Sequence, residues 1–322
     1  MRKPGVLVTC RVPSAVAARL DEACEVDLYT GEEPMSRGEL RQRLEGKQAL
    51  MCLLTDRIDS DVMDASPALR VVANIAVGYD NVDVSAASAR GIVVTNTPGV
   101  LTEATADFTW ALILAVTRRI AEGERLMRQG RWKGWALDFM LGSELGGKQL
   151  GIVGLGRIGR AVATRAVAFG MRVAYADPGL TGHDSHGLPY ARLPLDELLT
   201  GSDIISLHVP LAPETRHLIN RRTLLRLKRS AYIVNTSRGA VIDEEALAWA
   251  LREGIIAGAA LDVYEHEPAI HADLIGLENI VLAPHLGSAT VETRTAMADL
   301  AARNIIAVLS GEPPLTRVPE SR

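Results

Sequence analysis

The chain has 322 residues, 48% hydrophobic and 23% charged, with a formal net charge of −4 at pH 7. That length can bury two ordinary cores, while mild acidity without a long basic block argues against a nucleic-acid partner. The longest strongly apolar stretch, residues 110–116, is far too short to span a bilayer, so no membrane partner is expected.

The opening MRKPGVLVTCRVP carries a basic pair but no sustained apolar run or cleavage site, and reads as a first strand rather than a signal peptide. Cys10, Cys24 and Cys52 are odd in number and confined to the first sixth of the chain. They suit reduced thiols in a cytoplasm, show no metal-site spacing and read as buried apolar cysteines. Short apolar runs at 6–10, 50–55, 71–75 and 92–95, with helical segments between, predict a small parallel α/β domain. Residues 102–120 form a helical segment in which Phe108, Trp110, Leu112, Ile113, Leu114 and Val116 cover every face. Such a helix is buried, either in a domain core or in a subunit contact. Trp132 and Trp135 follow in a loop of glycines and charges, a composition that favours an interface, though a folded-back lid would look the same.

Residues 150–178, LGIVGLGRIGRAVATRAVAFGMRVAYADP, carry the strongest signal. Gly154, Gly156 and Gly159 form G-x-G-x-x-G directly after an apolar strand and open a helix with Ile158, Ala161, Val162, Ala166 and Phe169 at helical spacing. The first glycine permits the tight turn, the second lets backbone approach a pyrophosphate, and the third brings helix against strand. The phosphates then sit on the free N–H groups of the helix start, beside Arg157 and Ile158. The next strand ends at Asp177, 23 residues after Gly154, where a carboxylate accepts hydrogen bonds from ribose hydroxyls. A carboxylate there repels a 2′-phosphate, and no arginine follows before Arg192, so NAD is favoured over NADP.

Further strand candidates at 203–207, 231–236, 257–261 and 280–283, with a helix at 243–253, complete a doubly wound nucleotide domain over residues 98–287. Residues 291–309 form an amphipathic helix stopped by Gly311 and Pro313-Pro314. It is expected to return to the first domain, so that 1–97 and 288–322 make one substrate-binding domain. The chain would then cross an interdomain cleft twice, near Thr97 and Gly287.

Most of the seven histidines have ordinary settings. His183 and His186 lie in a polar loop, and His217 and His271 lack a partner in sequence. His208 ends the strand at 203–207 and reads as a cofactor-side packing residue. His285 also ends a strand, and imidazole is the commonest general acid/base. Arg238 follows the strand at 231–236, where a guanidinium can bind a carboxylate or polarise a carbonyl oxygen. Glu267 closes a third strand–loop unit, where a carboxylate beside an imidazole favours its charged form and orients the ring.

In family order the chain carries VGYDNVD (77–83), TEATADFTWALILA (102–115), GLGRIG with Asp177, HVPLAPETRHLI (208–219), NTSRGAVIDEEAL (235–247), ALDVYEHEP (260–268) and APHLGSAT (283–290). In these motifs it resembles the D-isomer-specific 2-hydroxyacid dehydrogenases, and around residues 132–159 it is most similar to their glyoxylate/hydroxypyruvate reductases. The resemblance implies an α/β fold of two domains, a Rossmann-type nucleotide domain inserted into a smaller flavodoxin-like substrate domain, and homodimers built on the nucleotide domain. It implies the catalytic triad Arg238, Glu267 and His285, with Thr105, Pro210, Thr215, Asp262 and Gly287 as further cofactor contacts. Backbone N–H groups near Val77 and Gly78 would grip the substrate carboxylate, and Leu54, Trp135 and Ser288 would shape the substrate site. In hydroxypyruvate reductases a tryptophan matching Trp135 reaches into the partner's site. The expected reaction interconverts a small 2-oxo acid and its D-2-hydroxy acid. Two alternatives stay open: a D-3-phosphoglycerate substrate, for which Arg37 and Arg57 are the basic candidates, and a non-enzymatic NAD(H)-sensing scaffold like the corepressors that share this fold.

Overall fold

The structure is a computed structural model that describes residues 3–180 and 189–319, so His183 and His186 lie outside the described residues. The chain divides into two compact units, Met1–Leu101 with Thr290–Arg322, and Thr102–Ala289. The divisions fall a few residues beyond the expected junctions at 97/98 and 287/288. They coincide with helix starts: Thr102 opens one helix, and Thr290 caps another by accepting the Thr293 N–H at its side-chain oxygen.

The first unit is a five-stranded sheet of β1 (Gly5–Val8), β2 (Glu25–Leu28), β3 (Ala49–Cys52), β4 (Val71–Asn74) and β5 (Val93–Thr95). All pairings are parallel, in the order β2-β1-β3-β4-β5, the flavodoxin-like order of a doubly wound sheet. Helices α1 (Ser14–Ala23), α2 (Arg37–Leu44), α3 (Ser60–Met63) and α4 (Val84–Ala89) alternate with the strands. The C-terminal helix Val291–Ser310 packs on β3, β4 and α1. β3 and β4 are buried at every residue, as parallel strands covered on both faces must be.

The second unit opens with α5 (Thr102–Thr117) and α6 (Ile120–Arg128), followed by β6 (Gln149–Val153), α7 (Arg157–Ala168), β7 (Arg172–Ala176) and β8 (Ala191–Arg192). Then come α8 (Leu195–Gly201), β9 (Ile204–Leu207), α9 (Arg221–Leu224), β10 (Tyr232–Asn235), α10 (Glu244–Arg252), β11 (Gly258–Leu261), α11 (Ala272–Ile275) and β12 (Ile280–Leu282). The seven strands pair in parallel in the order β12-β11-β10-β9-β6-β7-β8. Strand order reverses between β6 and β9, and at that switch point ligands of open α/β sheets bind. Among the described residues no helix is long and apolar enough to cross a membrane.

Three local differences from the sequence reading have plain causes. The expected helix over 102–120 stops at Thr117, because Arg119 takes a left-handed conformation (φ 55°) and pairs with Glu122 to start α6. β2 carries no apolar run: it is an edge strand, EVDL, whose Asp27 is paired with Arg43 and Lys47. β8 is only two residues long and leaves no periodicity to read. α5 belongs to the core of its own unit, with Trp110 donating to the Val162 carbonyl at 3.0 Å and stacking on Phe169.

Candidate active site

The glycine loop occupies the switch point, and each glycine has a distinct steric reason. Gly154 sits at φ +88°, and a Cβ there would lie 2.6 Å from the His208 carbonyl oxygen. A Cβ on Gly159 would lie 2.2 Å from the Gly154 oxygen, so this glycine lets α7 press against the loop. Gly156 differs, since a Cβ there meets nothing within 4 Å. The open side of Gly156 adjoins the start of α7, where no side chain caps the first N–H groups, those of Arg157 and Ile158 among them. Uncapped donors beside an open backbone fit a pyrophosphate.

Asp177 follows β7 and braces this loop. Its carboxylate accepts the Leu155 N–H at 2.8 Å and the Gly179 N–H at 2.9 Å. Two oxygens with about four lone-pair sites can still accept ribose hydroxyls. Arg192 of β8 donates to the Asp177 backbone carbonyl at 3.1 Å, so a guanidinium that looked remote in sequence stands beside this acid.

On the other side of the switch point, β9 delivers His208, whose Nε2 lies 2.8 Å from Ser206 Oγ. Burial pushes the His208 ring down to about 3, so it is neutral at physiological pH and unsuited to carrying a proton. Thr215 closes the loop beyond: its hydroxyl donates to the Pro210 carbonyl at 2.6 Å and accepts the Ala212 N–H at 2.8 Å. Thr105, buried in the first turn of α5, lies against Gly287, where a Cβ would come within 3.4 Å of its methyl.

Three further strand ends converge. His285 Nδ1 and Glu267 Oε2 are 2.8 Å apart, both side chains about three-quarters buried. The other Glu267 oxygen accepts the Tyr264 N–H at 3.0 Å. Burial alone would raise the Glu267 carboxyl. The hydrogen bond and charge of His285, the Tyr264 N–H and the Arg238 guanidinium outweigh it and hold the carboxyl below its usual range. Arg238 is thus an electrostatic neighbour of the pair, and Gly239 explains how it gets there. A Cβ on Gly239 would lie 1.8 Å from the Tyr264 carbonyl carbon, so the turn after β10 is flush with the loop that carries Glu267. Any side chain there must push the two loops apart.

Asp262 holds the histidine turn. It is almost wholly buried; its backbone carbonyl accepts the His285 N–H, and its carboxylate accepts the N–H groups of Leu286 (2.6 Å) and Gly287 (2.8 Å). His285 itself sits at φ +53°, a left-handed conformation that persists only where surrounding bonds impose it. Burial raises Asp262 despite the two N–H donors. Sequence patterns do not show this role, because nothing in ALDVYEHEP says that its aspartate turns back onto a loop more than twenty residues later.

The remaining expected residues are spread out. Ser288 follows Gly287 and is half-buried, whereas Trp135 stands 81% exposed in the loop between α6 and β6. Leu54, Val77 and Gly78 belong to the first unit, after β3 and β4, and are half-buried. Cys24 and Cys52 are buried as expected, whereas Cys10 is only half-buried by surface exposure; desolvation, with Asp56 nearby, still pushes its thiol up to about 12.

The NAD-binding domain of the D-isomer specific 2-hydroxyacid dehydrogenases matches residues 110–287. A protein from Korarchaeum cryptofilum named glyoxylate reductase is 51% identical over 97% of this chain and 95% of its own length. One of the same name from Thermococcus onnurineus is 48% identical over 98% and 96%. Among solved structures, the TT0316 protein of Thermus thermophilus covers 98% of this chain and 100% of its own, at 48% identity and a TM-score of 0.92. An NADPH-dependent glyoxylate/hydroxypyruvate reductase from Sinorhizobium meliloti, solved with NADP and malonate, is 38% identical over 99% and 97%, with a TM-score of 0.87.

Proposed function

The chain belongs to the D-isomer-specific 2-hydroxyacid dehydrogenases, and we propose that it reduces glyoxylate or hydroxypyruvate to the D-2-hydroxy acid with NADH. The observation that carries this reading is the His285–Glu267 pair beside Arg238, at the strand ends of a nucleotide-binding sheet. The near-50% identity to proteins named glyoxylate reductase supports the substrate class.

The roles follow from the bonds. Nδ1 of His285 is taken by Glu267, so Nε2 is the nitrogen left to give a proton to the substrate's 2-oxo oxygen. Glu267 orients the ring through that bond. Arg238 binds the carboxylate and polarises the 2-oxo group, and the N–H groups of Val77 and Gly78 bind the carboxylate in turn. Gly154, Gly156, Gly159 and the first N–H groups of α7 receive the pyrophosphate, and Asp177 the ribose. Bound nicotinamide supplies the hydride that reduces C2. A phosphorylated substrate is less well served: Arg37 is bound to Asp59 and Asp61, and Arg57 shares Asp59.

NADH oxidation followed at 340 nm with glyoxylate, hydroxypyruvate, pyruvate and 3-phosphohydroxypyruvate, then repeated with NADPH, tests the reading. Fast turnover of the first two, with NADH preferred, is the expected result. Asp177→Ala removes the like charge facing a 2′-phosphate while Arg192 stays in place, and is expected to raise kcat/KM for NADPH about tenfold or more. Tight NADH binding without turnover of any 2-oxo acid would instead return the sensing scaffold.

We further propose a homodimer through the second unit and a reducing cytoplasmic setting. Ile120, Met127, Trp132, Trp135 and Leu137 are each more than half exposed along α6 and the following loop, a run of apolar surface that a second copy would cover. Light scattering is expected to give twice the chain mass of 34.6 kDa; a monomer at assay concentration would remove this proposal. The three free cysteines suit a reducing compartment.

A further inference from the structure

The loop after β4 has its peptide carbonyls tied back one after another. The Ala76 carbonyl accepts the Thr97 N–H at 2.8 Å. The Val77 carbonyl accepts from Asn96 Nδ2 at 2.8 Å, and the Gly78 carbonyl from Asn74 Nδ2 at 2.9 Å. In a trans peptide the C=O and the following N–H point in opposite directions. Tying three consecutive carbonyls inward therefore aims three consecutive N–H groups, those of Val77, Gly78 and Tyr79, away from their anchors. None of these three N–H groups donates a hydrogen bond to the described residues. The side chains here run from half-buried at Val77 to exposed at Tyr79.

The anchors are themselves fixed. Asn74 is fully buried, and its amide also donates to Asn81 Oδ1 at 3.1 Å. Asn81 donates in turn to the carbonyls of Leu53 and Asp56, both at 3.0 Å. Asp56 closes the network by accepting the Leu53 N–H and the Thr9 hydroxyl. A set of side-chain amides, Asn74 fully buried and Asn81 and Asn96 half-buried, thus sets peptide planes in a loop that has no regular secondary structure of its own.

We infer that Asn96 and Asn74 are positioning residues that orient the Val77–Tyr79 peptides, presenting a row of backbone N–H donors to the carboxylate of the 2-oxo acid. The inference rests on the proposal that this loop binds that carboxylate, and it adds the Tyr79 N–H as a third donor. Donors held in advance bind an anion without the cost of ordering the loop, so their loss falls on substrate affinity.

Asn96 is the better test, since it is half-buried whereas Asn74 is wholly enclosed. Asn96→Ala is expected to raise KM for glyoxylate about tenfold, the worth of one hydrogen bond at the site. KM for NADH and the melting temperature should stay near the parent values. Asn96→Gln keeps the amide donor and is expected to recover most of that loss. An unchanged glyoxylate KM in Asn96→Ala, with the parent enzyme active, overturns the positioning role and leaves the function intact. An equal rise in both variants overturns it too, because side-chain volume rather than the donor would then matter. Should Asn96→Ala not fold, Asn96→Ser takes its place with the same expected separation of the two KM values. A parent enzyme inactive on every 2-oxo acid removes the functional reading itself, and this inference with it.

Discussion

His285→Ala is expected to lower kcat for 2-oxo-acid reduction by about 10²–10⁴-fold, the usual worth of a positioned general acid, with NADH affinity nearly unchanged. The imidazole is held at three levels. Glu267 fixes Nδ1, Asp262 holds the N–H groups of His285, Leu286 and Gly287, and the backbone is kept at φ +53°. So much local order around one ring has no evident benefit for stability, and points to an orientation the chemistry needs. Reduction consumes the proton on the ring, so its rate should fall as pH rises while oxidation of the hydroxy acid rises. Glu267 is held below its usual carboxylate range, so the pair persists through neutral and mildly acidic pH. Its contribution to stability is lost only as pH falls through that lowered range. Glu267→Gln removes the carboxylate that holds Nδ1, and should lower kcat for reduction while leaving NADH affinity unchanged. Steady-state rates between pH 5 and 9 check both variants, and an alanine variant retaining more than about a tenth of kcat would exclude His285 from proton transfer.

The parts legible in the sequence are those set by short-range rules. G-x-G-x-x-G between a strand and a helix located the switch point because its first and third glycines answer local steric demands, visible as the 2.6 Å and 2.2 Å approaches at Gly154 and Gly159. Short apolar runs located most strands because parallel strands buried on both faces have little else to be made of. Edge strands escaped that rule. β2 is charged and β8 only two residues long, and their stability comes from neighbours rather than from their own composition. Long-range bonds were equally invisible. That Arg192 crosses to Asp177, that Asp262 grips the histidine turn, and that Asn96 holds the Val77 carbonyl are consequences of sheet order, which brings distant strand ends together. Sequence reasoning named His285, Glu267 and Arg238 as strand-end groups; the 2.8 Å contact and the 1.8 Å constraint at Gly239 describe how they meet.

Arg238→Ala should differ from the histidine variant in kind, lowering kcat/KM by about 10²–10³-fold with KM raised and kcat reduced together. A guanidinium that binds the carboxylate contributes in the ground state and the transition state alike, which appears in KM; polarising the 2-oxo oxygen contributes only in the transition state, which appears in kcat. Loss of charge-assisted hydrogen bonds, at about 1.5–3 kcal/mol each, accounts for that range. Arg238 also helps to keep Glu267 ionised, so its removal should shift the pH profile, and an Arg238→Ala/Glu267→Gln cycle should be non-additive. Arg238→Lys separates the two contributions. A lysine retains the positive charge near Glu267 and should keep most of the parent pH profile, but it lacks the planar fork and should leave KM high. If lysine restored KM as fully as the pH profile, a point charge would suffice and the two-point contact would be wrong. If alanine changed kcat but not KM, Arg238 would act on the Glu267–His285 pair alone, and the substrate carboxylate would depend on other donors.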